Sequence, residues 1–265
     1  LDDGYTFDVG DDYFRIGPLK LITDGSLGAR TAYMKNAYAD DPTMKGIASL
    51  EEDVIETYVR LANQFNMPTI AHAIGDAALD NVLHVYKDTV LEGNPLHHGI
   101  VHCQIMRPDQ IKQVLEQKVA CYFQSIFIDY DAQILQARVG KELASTSYPY
   151  KTLFDGTLTS NGSDAPVEMP NVLKGIECAV TRKSISYNAC MNEEECLTVD
   201  EAIASFTING AKMLFMDHCI GAIQEGYYAD FVVLEKDIRA IPVSDIHRTK
   251  VMLTVMDGNT VYSND

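Results

Sequence analysis

Short apolar runs in this chain end in, or enclose, residues with metal-binding and proton-transfer chemistry. Lys20 lies within "PLKLIT", His72 closes "MPTIAH", His102 closes "HGIVH", and Asp164 ends "GTLTSNGSD". The intervals 102−72 = 30 and 164−102 = 62 correspond to one and about two strand–helix units. Imidazole, carboxylate and neutral amine are ligands for divalent ions. Such an ion lowers the pKa of water toward ~7 and polarises a carbonyl, while a neighbouring carboxylate takes a proton and passes it to a leaving amine. Lysine must lose its charge before it reacts with carbon dioxide or binds metal, which a buried strand position favours. Singly, each residue has a plainer role. His72 and His102 suit a core position bonded to backbone carbonyls, Asp164 suits the turn into Pro166, and Lys20 suits a strand edge with its ammonium in water. Four such residues at successive units favour one shared site. His97 and His98, before the third strand, read as solvated loop residues.

The elements that must position these residues alternate. "PLKLIT" reads as a strand, followed by a helix from Ser49 with Ser49 and Glu52 spaced as a capping box. Leu50, Val54, Tyr58, Leu61 and Phe65 form its expected apolar stripe. Strands over 67–72, 98–103, 119–124 and 156–164 are separated by helices, including "DAALDNVLHVYKDTV" with Ala78, Val82 and Val85 inward, and one opened by Pro108. Thr198 and Glu201 make a second capping box, opening the single helix expected over "LTVDEAIASFTINGAKML". Beyond Met216 the helices stop, and "YADFVVLE" and "KVMLTVMDGNTVYS" read as strands with a turn at Asp257-Gly258-Asn259. The expected boundary falls near Asp217, giving segments 1–216 and 217–265. Repeated strand–helix alternation predicts a parallel α/β sheet, either doubly wound or a barrel. The carboxyl ends of strands in a βα-barrel form one catalytic rim, which suits the placement of the four residues. No glycine-rich phosphate loop supports a nucleotide-binding sheet.

Composition narrows the function further. The 265 residues are 46% hydrophobic and 22% charged, sufficient for a sizeable core. Asp and Glu number 38 against 21 Lys and Arg, a formal charge of −17 with no basic stripe, which argues against nucleic acid or anionic membrane as partners. The six cysteines include no C-x-x-C pair and are expected to be buried free thiols in a reducing compartment. No apolar run suits a membrane helix, so a soluble, cytoplasmic protein is expected. The chain begins at Leu1 rather than Met and is expected to be part of something longer.

The segments "GPLKLITDGSLGARTAYM", "TIAHAIGDAALDNVL", "HHGIVHCQIMRPDQI", "YPYKTLFDGTLTSNGSDAPVE" and "LTVDEAIASFTINGAKML...GAIQEGYYADFVVL" together resemble the amidohydrolase superfamily, in its N-substituted formamide deformylase-like branch. The resemblance runs from about Gly17 to Asp265 and implies a (β/α)8 TIM barrel of the metal-dependent hydrolase type with a small β-sandwich built from both chain ends. It implies Lys20 as the strand-four lysine, often carbamylated to bridge metals, His72 and His102 as strand-five and strand-six ligands, and Asp164 as the strand-eight ligand that also takes the proton from the attacking water. Two features depart from the family. Val101 stands where the branch usually has an acidic residue, and the His-x-His of the first strand is missing.

The chain therefore reads as barrel strands four to eight plus the C-terminal half of the sandwich. The implied activity is metal-dependent hydrolysis of a non-peptide carbon–nitrogen bond in an amide or formamide-like small molecule. One or two divalent ions are expected in the full enzyme, zinc first among Zn, Fe, Mn and Co, and the fragment alone is expected to be weak or inactive. The alternative from another class is a non-catalytic α/β scaffold that binds a partner through an open sheet edge. Long loops would shape the substrate pocket, with Arg30, Tyr33, Tyr130 and Tyr148 as candidate contacts. Unpaired sheet edges predict a homo-oligomer.

Overall fold

The computed structural model describes residues 3–11 and 13–264. Its elements run β1 (Leu19–Ile22), α1 (Glu52–Gln64), β2 (Thr69–Ala73), α2 (Asp76–Thr89), β3 (Gly99–His102), α3 (Pro108–Glu116), β4 (Ala120–Phe123), α4 (Ile128–Asp131), α5 (Leu135–Ala144), α6 (Tyr150–Gly156), β5 (Thr159–Asn161), α7 (Val172–Thr181), α8 (Val199–Phe206), α9 (Ile208–Met213), β6 (Phe231–Leu234), β7 (Val251–Met256) and β8 (Asn259–Ser263). The first five strands make one sheet in the order β1-β2-β3-β4-β5, and β6, β7 and β8 make another. The pairings β1–β2, β2–β3 and β3–β4 are parallel, as strand–helix alternation requires. The chain divides into two compact units, Leu1–Tyr122 with Ile134–Leu158, and Phe123–Gln133 with Thr159–Asp265.

In the first unit, α1 and α2 lay apolar faces inward. On α2 the expected Ala78, Val82 and Val85 are buried, together with Leu79, Leu83 and Tyr86. On α1 the buried line is Ile55, Val59 and Ala62, while Tyr58 and Leu61 are 43% and 38% exposed. The expected stripe was one edge of a wide apolar band whose centre lies one residue further on. The Ser49 capping box is also absent. The Ser49 N–H is drawn to the Thr23 carbonyl at 2.8 Å, and the helix starts at Glu52 without a side-chain cap.

His98 is 2% exposed rather than solvated. Its Nδ1 accepts the Thr69 N–H at 3.0 Å and lies 2.8 Å from Thr69 Oγ1, while Asn94 brackets its backbone from both sides. Burial pushes this imidazole down to about 4.

In the second unit, Thr198 and Glu201 form the expected capping box, each side chain bonding the other's backbone N–H. The helix they open breaks at Thr207, where φ −126° and ψ −100° leave the helical region and separate α8 from α9. Asp129 is 4% exposed. It accepts N–H groups from Ile185 and Ser186, hydroxyls from Ser184 and Ser186, and the Lys174 ammonium at 2.6 Å. These donors hold its carboxyl far below the usual carboxylate range against the opposing effect of burial. The antiparallel hairpin of β7 and β8 turns at Asp257 and Gly258, whose φ values of 48° and 74° are those of the two-residue turn that matches strand twist.

The six cysteines are free thiols, with Cys103, Cys121 and Cys178 buried as expected and Cys190 exposed. No helix among the described residues is long and apolar enough to cross a membrane.

Candidate metal centre

The carboxyl ends of β1, β2 and β3 carry the chemistry of the first unit. In the parallel register Ile22 lies opposite His72 and Ala73 opposite His102. Paired residues share a face, so simple alternation would send the His72 and His102 side chains to opposite sides of the sheet. They meet nonetheless. His102 Nε2 lies 2.9 Å from His72 Nδ1, with the rings edge to face and their centroids 4.4 Å apart. The break in alternation is visible in the backbone, because His102 and Cys103 have φ of +88° and +50°. A left-handed conformation at a non-glycine residue costs about 1–3 kcal/mol and persists only where the surroundings impose it.

Hydrogen bonds fix the state of His72. Its Nε2 faces acceptors, the Gly25 carbonyl at 3.0 Å and Asp24 Oδ1 at 3.3 Å, so Nε2 carries the hydrogen, and in the neutral ring Nδ1 is then a lone pair. His102 Nε2–H therefore donates to His72 Nδ1. The donor set suits a divalent ion: one imidazole offers its lone pair with its other nitrogen anchored on oxygen, and the second is aimed at the same point. Asp24, whose side chain is fully enclosed, has no role suggested by the motifs. Its signal was its place, two residues beyond a strand end that carries Lys20.

The rim loops are stitched together by buried carboxylates. Asp24 accepts N–H groups from Tyr33, Ile74 and Gly75 at 2.9, 3.0 and 2.7 Å. The Tyr33 carbonyl in turn accepts the Ala77 and Ala78 N–H groups at the first turn of α2. Asp76 bonds the Lys35 N–H at 2.9 Å and the Arg107 guanidinium at 2.9 Å, joining the loops that follow β1, β2 and β3.

Lys20 lies opposite Ile70, two residues before the level of His72, and is exposed rather than buried. The physical reason is that β1 is the outer strand of the sheet, and of its four residues only Leu21 is covered. Asp164 belongs to the second unit. It is half-buried, has φ +55°, and lies three residues beyond β5, shorter than the strand expected through 164. Its carbonyl accepts the Val167 N–H at 2.9 Å, so it opens a turn. Among the described residues no three His, Cys, Asp or Glu side chains gather as a complete metal-binding group.

Of the candidate substrate contacts, Arg30 grips Asp40 through Nε and Nη2 at 3.0 and 3.1 Å, and Arg138 holds the same carboxylate. Tyr33 contributes its backbone to the Asp24 stitch. Tyr148 is fully buried with φ +54°, its N–H donating to the Gln104 carbonyl at 2.7 Å. Tyr130, in the second unit, is 47% exposed and meets Tyr187 edge to face at 6.2 Å.

Residues 4–262 match the profile of the Amidohydrolase family. The chain belongs to the amidohydrolase family. The chain is 35% identical over 253 residues to "Putative amidohydrolase YtcJ" of Bacillus subtilis (strain 168); the match takes in 94% of this chain and 48% of that protein. An N-substituted formamide deformylase of Arthrobacter pascens is 24% identical over 214 residues, 76% of this chain and 38% of its own. Among solved structures, an uncharacterized metal-dependent hydrolase from Pyrococcus horikoshii superposes with a TM-score of 0.81 at 28% identity, covering 92% of this chain and 49% of the other. The chain thus spans about half the length of the curated relatives it matches. The α/β fold with its five-stranded sheet is similar to that of solved metal-dependent hydrolases.

Proposed function

We propose that this chain is the C-terminal part of a metal-dependent amidohydrolase acting on a non-peptide carbon–nitrogen bond, in an amide or formamide-like small molecule. In this reading β1 to β5 are strands four to eight of a (β/α)8 barrel, and β6 to β8 are half of a β-sandwich. The observation that carries it is the meeting of His72 and His102 at the ends of adjacent parallel strands, with the Nδ1 lone pair of one facing Nε2 of the other.

His72 and His102 would hold the ion, with Lys20, carbamylated, and Asp164 completing the set, and zinc the favoured metal. A divalent ion there supplies Lewis acidity and lowers the pKa of water toward ~7. Asp164 would be the carboxylate that accepts the proton of the attacking water and passes it to the leaving amine. Neutral His72 would offer the lone pair of Nδ1 while its hydrogen stays on Nε2, toward the Gly25 carbonyl. His102 must move or lose the Nε2 hydrogen that it now donates to His72.

Zinc binding to the chelator-treated chain, followed by calorimetry, tests the site, with amine release from N-substituted formamides as the activity readout. A zinc site present in the wild type and lost in both His72→Ala and His102→Ala, with folding retained, is expected. Zinc binding indifferent to both substitutions would remove the reading.

A further inference from the structure

Asp24 is enclosed by the rim loops, and each of its neighbours is a donor. Both carboxylate oxygens are pinned by backbone amides: Oδ1 by Ile74 N–H at 3.0 Å, and Oδ2 by Gly75 and Tyr33 N–H at 2.7 and 2.9 Å. Three amides from two loops leave the carboxylate no freedom to rotate. The preceding residue is equally fixed, since the Thr23 N–H and Oγ1–H both donate to the His72 carbonyl, at 3.1 and 2.5 Å. The following residue presents its carbonyl to His72 Nε2 at 3.0 Å, beside Asp24 Oδ1 at 3.3 Å. Residues 23 to 25 therefore grip His72 by its backbone on one side and by its ring on the other.

The loop that Asp24 holds is packed to backbone contact. A Cβ on Gly75 would lie 2.0 Å from the Tyr33 carbonyl oxygen, so the two loops could not approach closely enough to share Asp24 if residue 75 had a side chain. The arrangement exceeds what a loop staple needs. A staple requires the three amides alone, whereas Asp24 Oδ1 and the Gly25 carbonyl both lie on the imidazole nitrogen turned away from His102.

We propose that Asp24 is a positioning residue: it sets the tautomer and ring orientation of His72, so that the Nδ1 lone pair is presented to a divalent metal. This rests on the metal-site reading of His72 and His102, and supplies the support on the nitrogen opposite the ligating one that metal-bound imidazoles need. The Gly25 carbonyl at 3.0 Å, presented by the loop that Asp24 pins, and the Asp24 carboxylate at 3.3 Å together disfavour the Nδ1–H form of His72, which would place a lone pair against two oxygens and a hydrogen against His102.

Long-range proton–nitrogen correlation spectra of the metal-free chain at pH 8 read the two imidazole tautomers directly. The wild type is expected to show His72 in a single Nε2–H form. In Asp24→Asn that single form is expected to give way to exchange between tautomers, with zinc affinity falling about 10- to 100-fold while amide dispersion shows the fold retained. A purely structural Asp24 would lower stability without moving the tautomer. If Asp24→Asn does not fold, the wild-type spectrum decides: a His72 with its hydrogen on Nδ1, or already exchanging, overturns the inference. A variant that folds with unchanged tautomer and zinc affinity also overturns it, leaving the metal site standing. A wild type with the expected His72 tautomer, disturbed in Asp24→Asn, but with no zinc site sensitive to His72→Ala would overturn the metal part of the proposal and the functional reading together, and leave only the hold on the ring.

Discussion

Lowering the pH should destabilise this chain through His98 in a window set by burial. Its pKa falls from 6.5 to about 4 because the ring is enclosed and its Nδ1 is occupied as an acceptor of the Thr69 N–H. A histidine with a depressed folded-state pKa binds its proton more readily when unfolded. The stability it contributes is therefore complete above pH 6.5 and is lost as the pH falls toward about 4, below which both states are protonated. With those two values, the loss between pH 7.5 and pH 4.5 is about 2.5 kcal/mol. Urea unfolding at the two pH values gives the total change, which also includes the carboxylates. His98→Asn isolates the imidazole: its amide oxygen can replace Nδ1 as the acceptor for Thr69, but it does not titrate. The wild type should lose about 2.5 kcal/mol more than His98→Asn over this interval. Equal losses in the two proteins would show that His98 does not remain neutral in the folded state, and the account of its burial would be wrong.

Asp129→Ala should cost about 3–5 kcal/mol, because it leaves the Lys174 ammonium and the amides of Ile185 and Ser186 without their buried acceptor; a loss under about 1 kcal/mol in urea unfolding would refute this. Gly75→Ala should lower the melting temperature and weaken zinc binding together, since the added Cβ would lie 2.0 Å from the Tyr33 carbonyl oxygen and must part the two rim loops. Unchanged zinc affinity in a destabilised Gly75→Ala would separate the loop contact from the site. The chain should also self-associate: Val232, Val233, Val261 and Tyr262 of the three-stranded sheet are 43–55% exposed, and a cleft of about 1250 Å³ runs between that sheet and residues of α7 and α8. Light scattering should show a dimer or larger species that Val232→Lys disperses, and a compact wild-type monomer at micromolar concentration would contradict it.

Much of the fold was legible because strand and helix patterns are local. The parallel strands sit where short apolar runs end in turn residues, and Pro108 and Thr198 open helices at the positions that proline fixation and a capping box dictate. Misreadings occurred where two local patterns competed. On α1 apolar residues occupy a band wide enough to allow two stripes, and only packing selects Ile55, Val59 and Ala62. Between α8 and α9 the only local hint of the break at Thr207 is the run of weak helix formers Thr207, Asn209 and Gly210. His98 looked like a loop residue because its partners, Thr69 and Asn94, lie 29 and 4 residues away and meet only after folding.

The candidate site was legible in its residue types and not in its geometry, and the reason lies in the backbone. Alternation along β2 and β3 places His72 and His102 on opposite faces, so their spacing by one strand–helix unit suggests a shared strand-end site but not the contact between the rings. A left-handed residue at the end of β3 brings them together, at a position where the side chain is imidazole and not glycine. Arg30, Tyr148 and Asp164 also have positive φ, at 56°, 54° and 55°. Each such residue forgoes about 1–3 kcal/mol, which must be offset by contacts elsewhere. At His102 the offsetting contacts are visible: the ring is 2% exposed and bonded to a partner that is itself held by Thr23, Asp24 and Gly25. The strain at His102 and the support under His72 therefore belong to one device, in which the chain holds two imidazoles nitrogen to nitrogen.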